Sequence, residues 1–347
     1  VAEARELLTT IFRENPNDSD ALAFSSIVEV AGNNKQKALE YATEAVERNP
    51  ENPAAALALS YARQAVFDID GALSALVHVD EKAPGNGEVL ARLSELLLTV
   101  GDIDAAVAMA EKAVMTAPGI GRSHSVLGFA FLARVETAAA RESFEEAIRL
   151  DQASPMARLG LGLAVIRDGK LEQGRAEIEL AAALDPGNAL VRSYLGKAYF
   201  EEKRDHLSGR QYRIARELDP LDPTPWFYDA IRKQLQNRPV EALHDLQESI
   251  ARNDNRAVYR SRFLLDGDLA ARSAGLGRIY TDLGFEHLAL AEGWKSVASN
   301  PADYSAHRFI SDTYRVRPRH EVARVSELLQ SQLLQPLNLT PVQPQLA

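Results

Sequence analysis

Cysteine is absent from all 347 residues, which excludes a disulfide framework, a thiolate zinc site and a cysteine nucleophile together. That absence leaves the compartment open, because a cysteine-free chain suits the cytosol and the periplasm equally. No apolar run approaches the roughly 18–20 residues needed to span a bilayer. Histidine is scarce: His78, His124, His206, His244, His287, His307 and His320 are the only ones, and none stands in H-E-x-x-H or a comparable ligand spacing. Phosphate-binding loops are missing too. Gly160-Leu-Gly162 has Val165 where a third glycine belongs, and Gly169-Lys170 has Ala164 at the first glycine of a P-loop and no Ser or Thr following. Gly121-Arg-Ser123-His-Ser125 lacks the final glycine of a nucleophile elbow. Carboxylates sit on helix faces beside opposite charges, as at Arg141–Glu145. The chain therefore reads as a non-enzyme with no metal and no cofactor.

What is present is the composition of a folded soluble protein, 46% hydrophobic and 25% charged, with a formal net charge of −10. Residues 1–120 hold 19 acidic and 9 basic side chains and so carry the whole excess; residues 121–230 hold 17 and 15, and residues 231–347 hold 13 and 15. An acidic N-terminal third disfavours nucleic acid as a partner. The chain opens on Val1 rather than Met, which reads as a fragment or a processed chain.

Proline reveals the organisation. Pro16, Pro50, Pro84 and Pro118 are 34 residues apart, and the same step continues through Gln152 to Pro186 and Pro220. Proline cannot continue a helix, so each mark is the stop between one helical hairpin and the next. With that stop at position 32, position 8 reads Ser26, Ser60, Ser94, Gly128, Gly162, Gly196 and Ala230. Position 20 reads Ala38, Ala72, Ala106, Ala140, Gly174, Ser208 and Ala242. Both columns are uniformly small, as required where two helix backbones approach. Leu59, Leu93, Leu127, Leu161 and Leu195 fill position 7. Position 11 is aromatic at Phe131 and Tyr199 but departs at Glu29, Arg63 and Lys233, where looser packing is expected.

This pattern resembles the tetratricopeptide repeat, most closely in Leu195-Gly196-x-x-Tyr199 with Tyr212, Ala215 and Pro220, and in Leu127-Gly128-x-x-Phe131 with Ala140, Phe144 and Ala147. The resemblance implies an all-α superhelical solenoid of antiparallel helix pairs. A half unit (1–18) and 34-residue units from 19 make a first array, 1–256; residues 257–269 break the phase; 270–335 form two further units; and 336–347 read as a proline-rich linker. Both ends look cut from something longer.

In such arrays the first helix of each unit lines an inner groove through positions 2, 5, 9, 12 and 13. The groove candidates are then Tyr61, Phe129, Leu132, Met156, Leu159, Leu163, Ile166, Phe200, Phe227 and Ile231. An apolar stripe of this length suits a helix or extended peptide; neighbouring first helices packing over it are the alternative. Inner positions 5 and 9 hold no asparagine, against the carboxylate-clamp and asparagine-ladder members of the family.

Two basic clusters, Arg252/Arg256/Arg260 and Arg315/Arg317/Arg319, are candidate contacts for an anionic partner. The stretch from Val258 to Pro344 resembles the segment preceding the outer-membrane β-barrel of large bacterial repeat proteins. Together these imply a protein- or peptide-binding scaffold serving as the periplasmic arm of a larger envelope or secretion protein. A free-standing cytosolic adaptor and a polysaccharide-export arm binding carbohydrate are the alternatives.

Overall fold

The computed structural model describes residues 8, 15, 18–82, 84–253, 262–315 and 320–335, with side chains from 272 in the helix that begins at 262. Helices pair along the chain: α1 (Ser19–Ala31) with α2 (Lys35–Arg48), α3 (Pro53–Ala65) with α4 (Ile69–Lys82), and α5 (Gly87–Val100) with α6 (Ile103–Thr116). The series continues through α7 (Gly121–Ala133) and α8 (Thr137–Leu150), α9 (Pro155–Arg167) and α10 (Leu171–Leu184), and α11 (Ala189–Glu201) and α12 (Asp205–Leu218). It closes with α13 (Thr224–Leu235) and α14 (Pro239–Ala251), α15 (Arg262–Asp282) and α16 (Glu286–Ser299), and α17 (Tyr304–Arg315) and α18 (Glu321–Leu334). No strand occurs among the described residues, and the fold is an all-α repeat solenoid. Two compact units divide it: 1–211 with 257–262, and 212–256 with 263–347.

Most first helices start on a side-chain cap at position 34 of the preceding unit, α7 with Ile120 there being without one. Asp18 Oδ1 accepts from the amides of Asp20 and Ala21, Asn86 Oδ1 from Glu88 and Val89, and Asn188 Oδ1 from Val191. Asn52, Ser154, Asp222 and Asp303 do the same for α3, α9, α13 and α17. These bonds satisfy amides that a helix leaves unpaired in its first turn. The first helices whose following turn is described also end alike. Position 15 takes positive φ in Asn33, Phe67, Gly101, Val135, Gly169, Lys203, Asn237 and Gly284. The next amide then returns to the carbonyl of position 11 at 2.8–3.1 Å, from Asn34→Glu29 through Phe285→Tyr280. That is a Schellman stop, and it sets the hairpin angle identically whatever side chain occupies the turn.

Inside the hairpins the small columns meet. Ser26 Oγ donates to the Ala38 carbonyl at 2.8 Å, joining positions 8 and 20. A methyl on Gly174 would lie 2.4 Å from the Gly162 carbonyl oxygen, so neither glycine accepts a side chain without parting α9 from α10. Position 24 supplies the inward bulk of several second helices, where Leu76, Phe144, Ile178 and Leu246 are fully buried or nearly so, while α2 and α6 place Ala42 and Ala110 there.

Expected looseness at the non-aromatic position 11 is replaced by polar closure. Glu29 accepts from Asn34 Nδ2 at 2.7 Å, Arg63 donates to the Gly71 carbonyl at 2.8 Å, and Lys233 Nζ bonds Asp245 at 2.5 Å. The phase-breaking stretch is helical from residue 262, because α15 runs 21 residues where every other described helix has 12–14. Residues 254–261, the linker 336–347 and most of the half unit before Asp18 lie outside the described residues.

Candidate concave interface

Within the first unit, first helices pack on first helices: α1 on α3, α5 on α7 and α7 on α9. This contact decides which positions stay open. Position 5 is largely closed by it, since Ala23, Ala91, Ser125, Leu159 and Ser193 are buried and only Leu57 of α3 stays half-buried. Leu159 is therefore a correction to the expected groove: only 1% exposed, it lies in the core with Ile178, Ala181 and Val191 of its own and the next unit. A partner cannot reach it.

Positions 9 and 12 form the floor instead. Tyr61, Phe129, Leu132, Leu163, Ile166 and Phe200 are half-buried, as is Met156 at position 2. Phe129 is held by the core, its ring edge-on to Phe144 at 4.9 Å between centroids. Within the second unit Phe227 and Ile231 are likewise half-buried.

At the α3–α7 end, polar groups organise the floor around Arg92, a residue the sequence pattern hid inside a leucine-rich helix. Arg92 is 4% exposed and lays its guanidinium over the Tyr61 ring at 3.7 Å. Its nitrogens reach Ser60 Oγ at 3.1 Å, Glu95 at 2.9 Å and Gln64 at 2.5 Å. Arg122 crosses from α7 to donate to Tyr61 Oη at 2.7 Å and to Glu95 at 3.1 Å. Burial first, and then the Glu95 charge, push the Tyr61 phenol above its ordinary pKa. Burial works against the Arg122 charge, yet Glu95 and Tyr61 outweigh it and hold the guanidinium above its usual value. This corner is prearranged, and its Tyr61 phenol and Arg122 guanidinium keep their protons at ordinary pH.

The basic clusters fare differently. Arg252 is occupied: it stacks on Trp226 at 5.0 Å, donates to the Pro220 carbonyl at 2.9 Å and pairs with Glu248. It holds the fold together instead of offering a charge. Arg315 is exposed at the end of α17, while Arg256, Arg260, Arg317 and Arg319 lie outside the described residues. Among the described residues no group of three or more His, Cys, Asp or Glu is placed to hold a metal ion, and no helix is long and apolar enough to cross a membrane.

Paired antiparallel helices, a shared stop at position 15 and a half-buried inner face define a helical-repeat interaction array. Residues 64–124 match one tetratricopeptide repeat model, and residues 1–53 and 126–189 match another, so models of this one family cover just over half of the chain. The chain belongs to the tetratricopeptide repeat family. Its repeats indicate a protein–protein interaction scaffold, and proteins of this family are generally non-catalytic. Among solved structures it is similar to a chain from the crystal structure of the APC/C hetero-tetramer Cut9-Hcn1, with TM-score 0.69 and 17% identity, over 92% of this chain and 61% of that one. It is also similar to pilF of Pseudomonas aeruginosa (TM-score 0.49, 16% identity, 65% of this chain and 97% of that one) and to MamA (TM-score 0.37, 22% identity, 48% and 90%). At these identities the likeness is one of fold. No curated protein matches by sequence.

Proposed function

We propose that the scaffold holds a peptide or helical segment of another protein along the first-helix face of α3–α11. The observation that carries this reading is the floor of Phe129, Leu132, Leu163, Ile166 and Phe200, left half-buried at positions 9 and 12 while position 5 is closed in α7, α9 and α11. Half-buried apolar side chains in a row gain most when a partner completes their burial, at roughly 25 cal/mol per Å². Peptide is favoured over carbohydrate because Arg92 covers a face of the Tyr61 ring and aliphatic Leu132, Leu163 and Ile166 make up most of the remaining floor. Replacing Phe129 and Leu163 with Glu should abolish partner co-purification while leaving the helical melt cooperative. Retained binding in that double variant would sink the groove.

The proposed setting is the periplasm of a Gram-negative bacterium, as the soluble arm of a larger envelope protein. It rests on the likeness of the C-terminal third to pre-barrel segments. Antibody against this chain, used on fractionated source cells, tests it. A band well above 38.0 kDa in the outer-membrane fraction is the expected result, and a cytosolic band near that mass leaves the free adaptor.

A further inference from the structure

The apolar floor coincides with a segregation of charge between the two helix layers. In the first-helix layer, α7, α9 and α11 carry Arg122, Arg158, Arg167, Arg192 and Lys197 against a single acid, Glu201. Behind them, α8 and α10 carry six Glu against three Arg. A chain whose net charge is −10 thus presents a basic inner layer over this stretch. Acids take up only part of the arginine excess. Arg158 pairs with Glu177 at 2.9 Å, but Arg167 gives its bond to the Leu132 carbonyl at 2.5 Å, and Arg192 bonds Gln211 and the Pro186 carbonyl at 3.3 Å. Neutral oxygens orient these guanidinium groups without cancelling their charge. Farther up, Arg92 and Arg122 share the one carboxylate of Glu95.

Two of these cations stand on opposite lips. Arg122 opens α7 at position 2, and Arg167 closes α9 at position 13. Eleven residues of helical rise separate those positions along a first helix, about 16 Å, which admits a single helix of about 10–12 Å diameter with its flanks against both lips. The sign changes toward the N-terminus, where Asp20 and Glu88 occupy position 2 of α1 and α5.

We infer that the α7–α11 stretch takes an acidic amphipathic helix, its apolar face on Phe129, Leu163, Ile166 and Phe200 and its carboxylates against Arg122 and Arg167. This deepens the groove reading and depends on it. The lips supply charge complementarity, which governs partner choice and on-rate more than total affinity. The acids of α1 and α5 keep such a helix from sliding toward the N-terminal units.

Two labelled helical peptides sharing one leucine face, one with Glu and Gln on the polar face and the other with Lys and Gln, test it on the whole chain by fluorescence anisotropy. The acidic peptide should bind roughly tenfold tighter at low salt, the sum of two or three partly exposed ion pairs, and lose that advantage at high salt. Arg167→Glu, an exposed change that leaves the core untouched, should narrow the ratio several-fold, and Arg167→Gln by less. Equal binding of both peptides, each lost on Phe129→Glu, would overturn the acidic partner and keep the groove. Binding of neither, or binding indifferent to Phe129→Glu, would overturn both.

Discussion

The apolar repeats and the α13–α14 repeat solve one packing problem with opposite chemistry, for within the second unit α15 and α17 keep the buried apolar knobs Leu276 and Ile310. In α7, α9 and α11 the position-7 knob is leucine, and Leu127, Leu161 and Leu195 are buried against small neighbours. In α13 the same position is Asp229, 4% exposed, and Asp245 faces it at 1% exposed. Arg216 reaches both carboxylates at 2.8 and 3.2 Å, Arg232 bonds Asp229 at 2.7 Å, and Lys233 bonds Asp245 at 2.5 Å. Arg216 also stacks on Trp226 at 4.0 Å. Three cations around two buried acids hold a hairpin whose backbone stop at Asn237 matches that of its apolar counterparts. The repeat geometry therefore resides in its caps and turns. Its interior admits either an apolar knob or a satisfied ionic one.

Asp229→Ala should do the most damage, stranding Arg232 without its acid and leaving Arg216 and Lys233 to share Asp245, at a cost of about 3–5 kcal/mol by urea denaturation. Restoring the apolar solution with Asp229→Leu, Arg232→Ala and Lys233→Tyr should cost far less. If the single change is as mild as the triple, the network contributes nothing and the contrast between the repeats collapses. Next comes Gly174→Val, which drives a side chain into the Gly162 carbonyl and should cost about 2–3 kcal/mol.

A smaller effect belongs to His307 in the second unit. Its Nε2 meets the Pro301 carbonyl at 2.9 Å and its Nδ1 meets Glu327 at 2.5 Å, tying α17 to α18. Burial opposes the imidazolium, but the bonds to Glu327 and Pro301 and the Asp303 charge outweigh it and raise the pKa above 6.5. A raised folded pKa means the added stability is complete below about pH 6.5 and fades as pH climbs through the folded value. Amide exchange in α18 should accelerate across that rise, and His307→Gln should remove the dependence. The smallest change is Val135→Gly, which frees a β-branched residue from a left-handed turn and should stabilise by about 0.5–1 kcal/mol. At Asn33, whose side chain tolerates that conformation, the same substitution should be nearly silent.

The period, the small columns and the helix pairing were legible because each is a statement about one residue type at one spacing. The cap column at position 34 was equally visible, as Asp18, Asn52, Asn86, Ser154 and Asn188, but proline drew attention two residues earlier. Two features were not legible. Whether position 5 opens on the groove depends on how first helices lean on one another, so Leu159 read as surface although it is core. Arg92 sits among leucines where a charged residue reads as solvated, and only its partners in α3 and α7 explain its burial. Lys233 stood out only as a break in its column, and Asp229 went unmarked. Their pairing required the second helix to come alongside.

The central claim is that the inner layer of α7–α11 meets the partner and the outer layer does not. A photocrosslinking amino acid placed in turn at Phe129, Phe200 and the exposed outer-layer Glu142, in cells making the whole protein, tests it directly. Adducts of one common mass from Phe129 and Phe200, with none from Glu142, are the predicted result. Adducts from Glu142 alone would contradict it and move the interface to the opposite face.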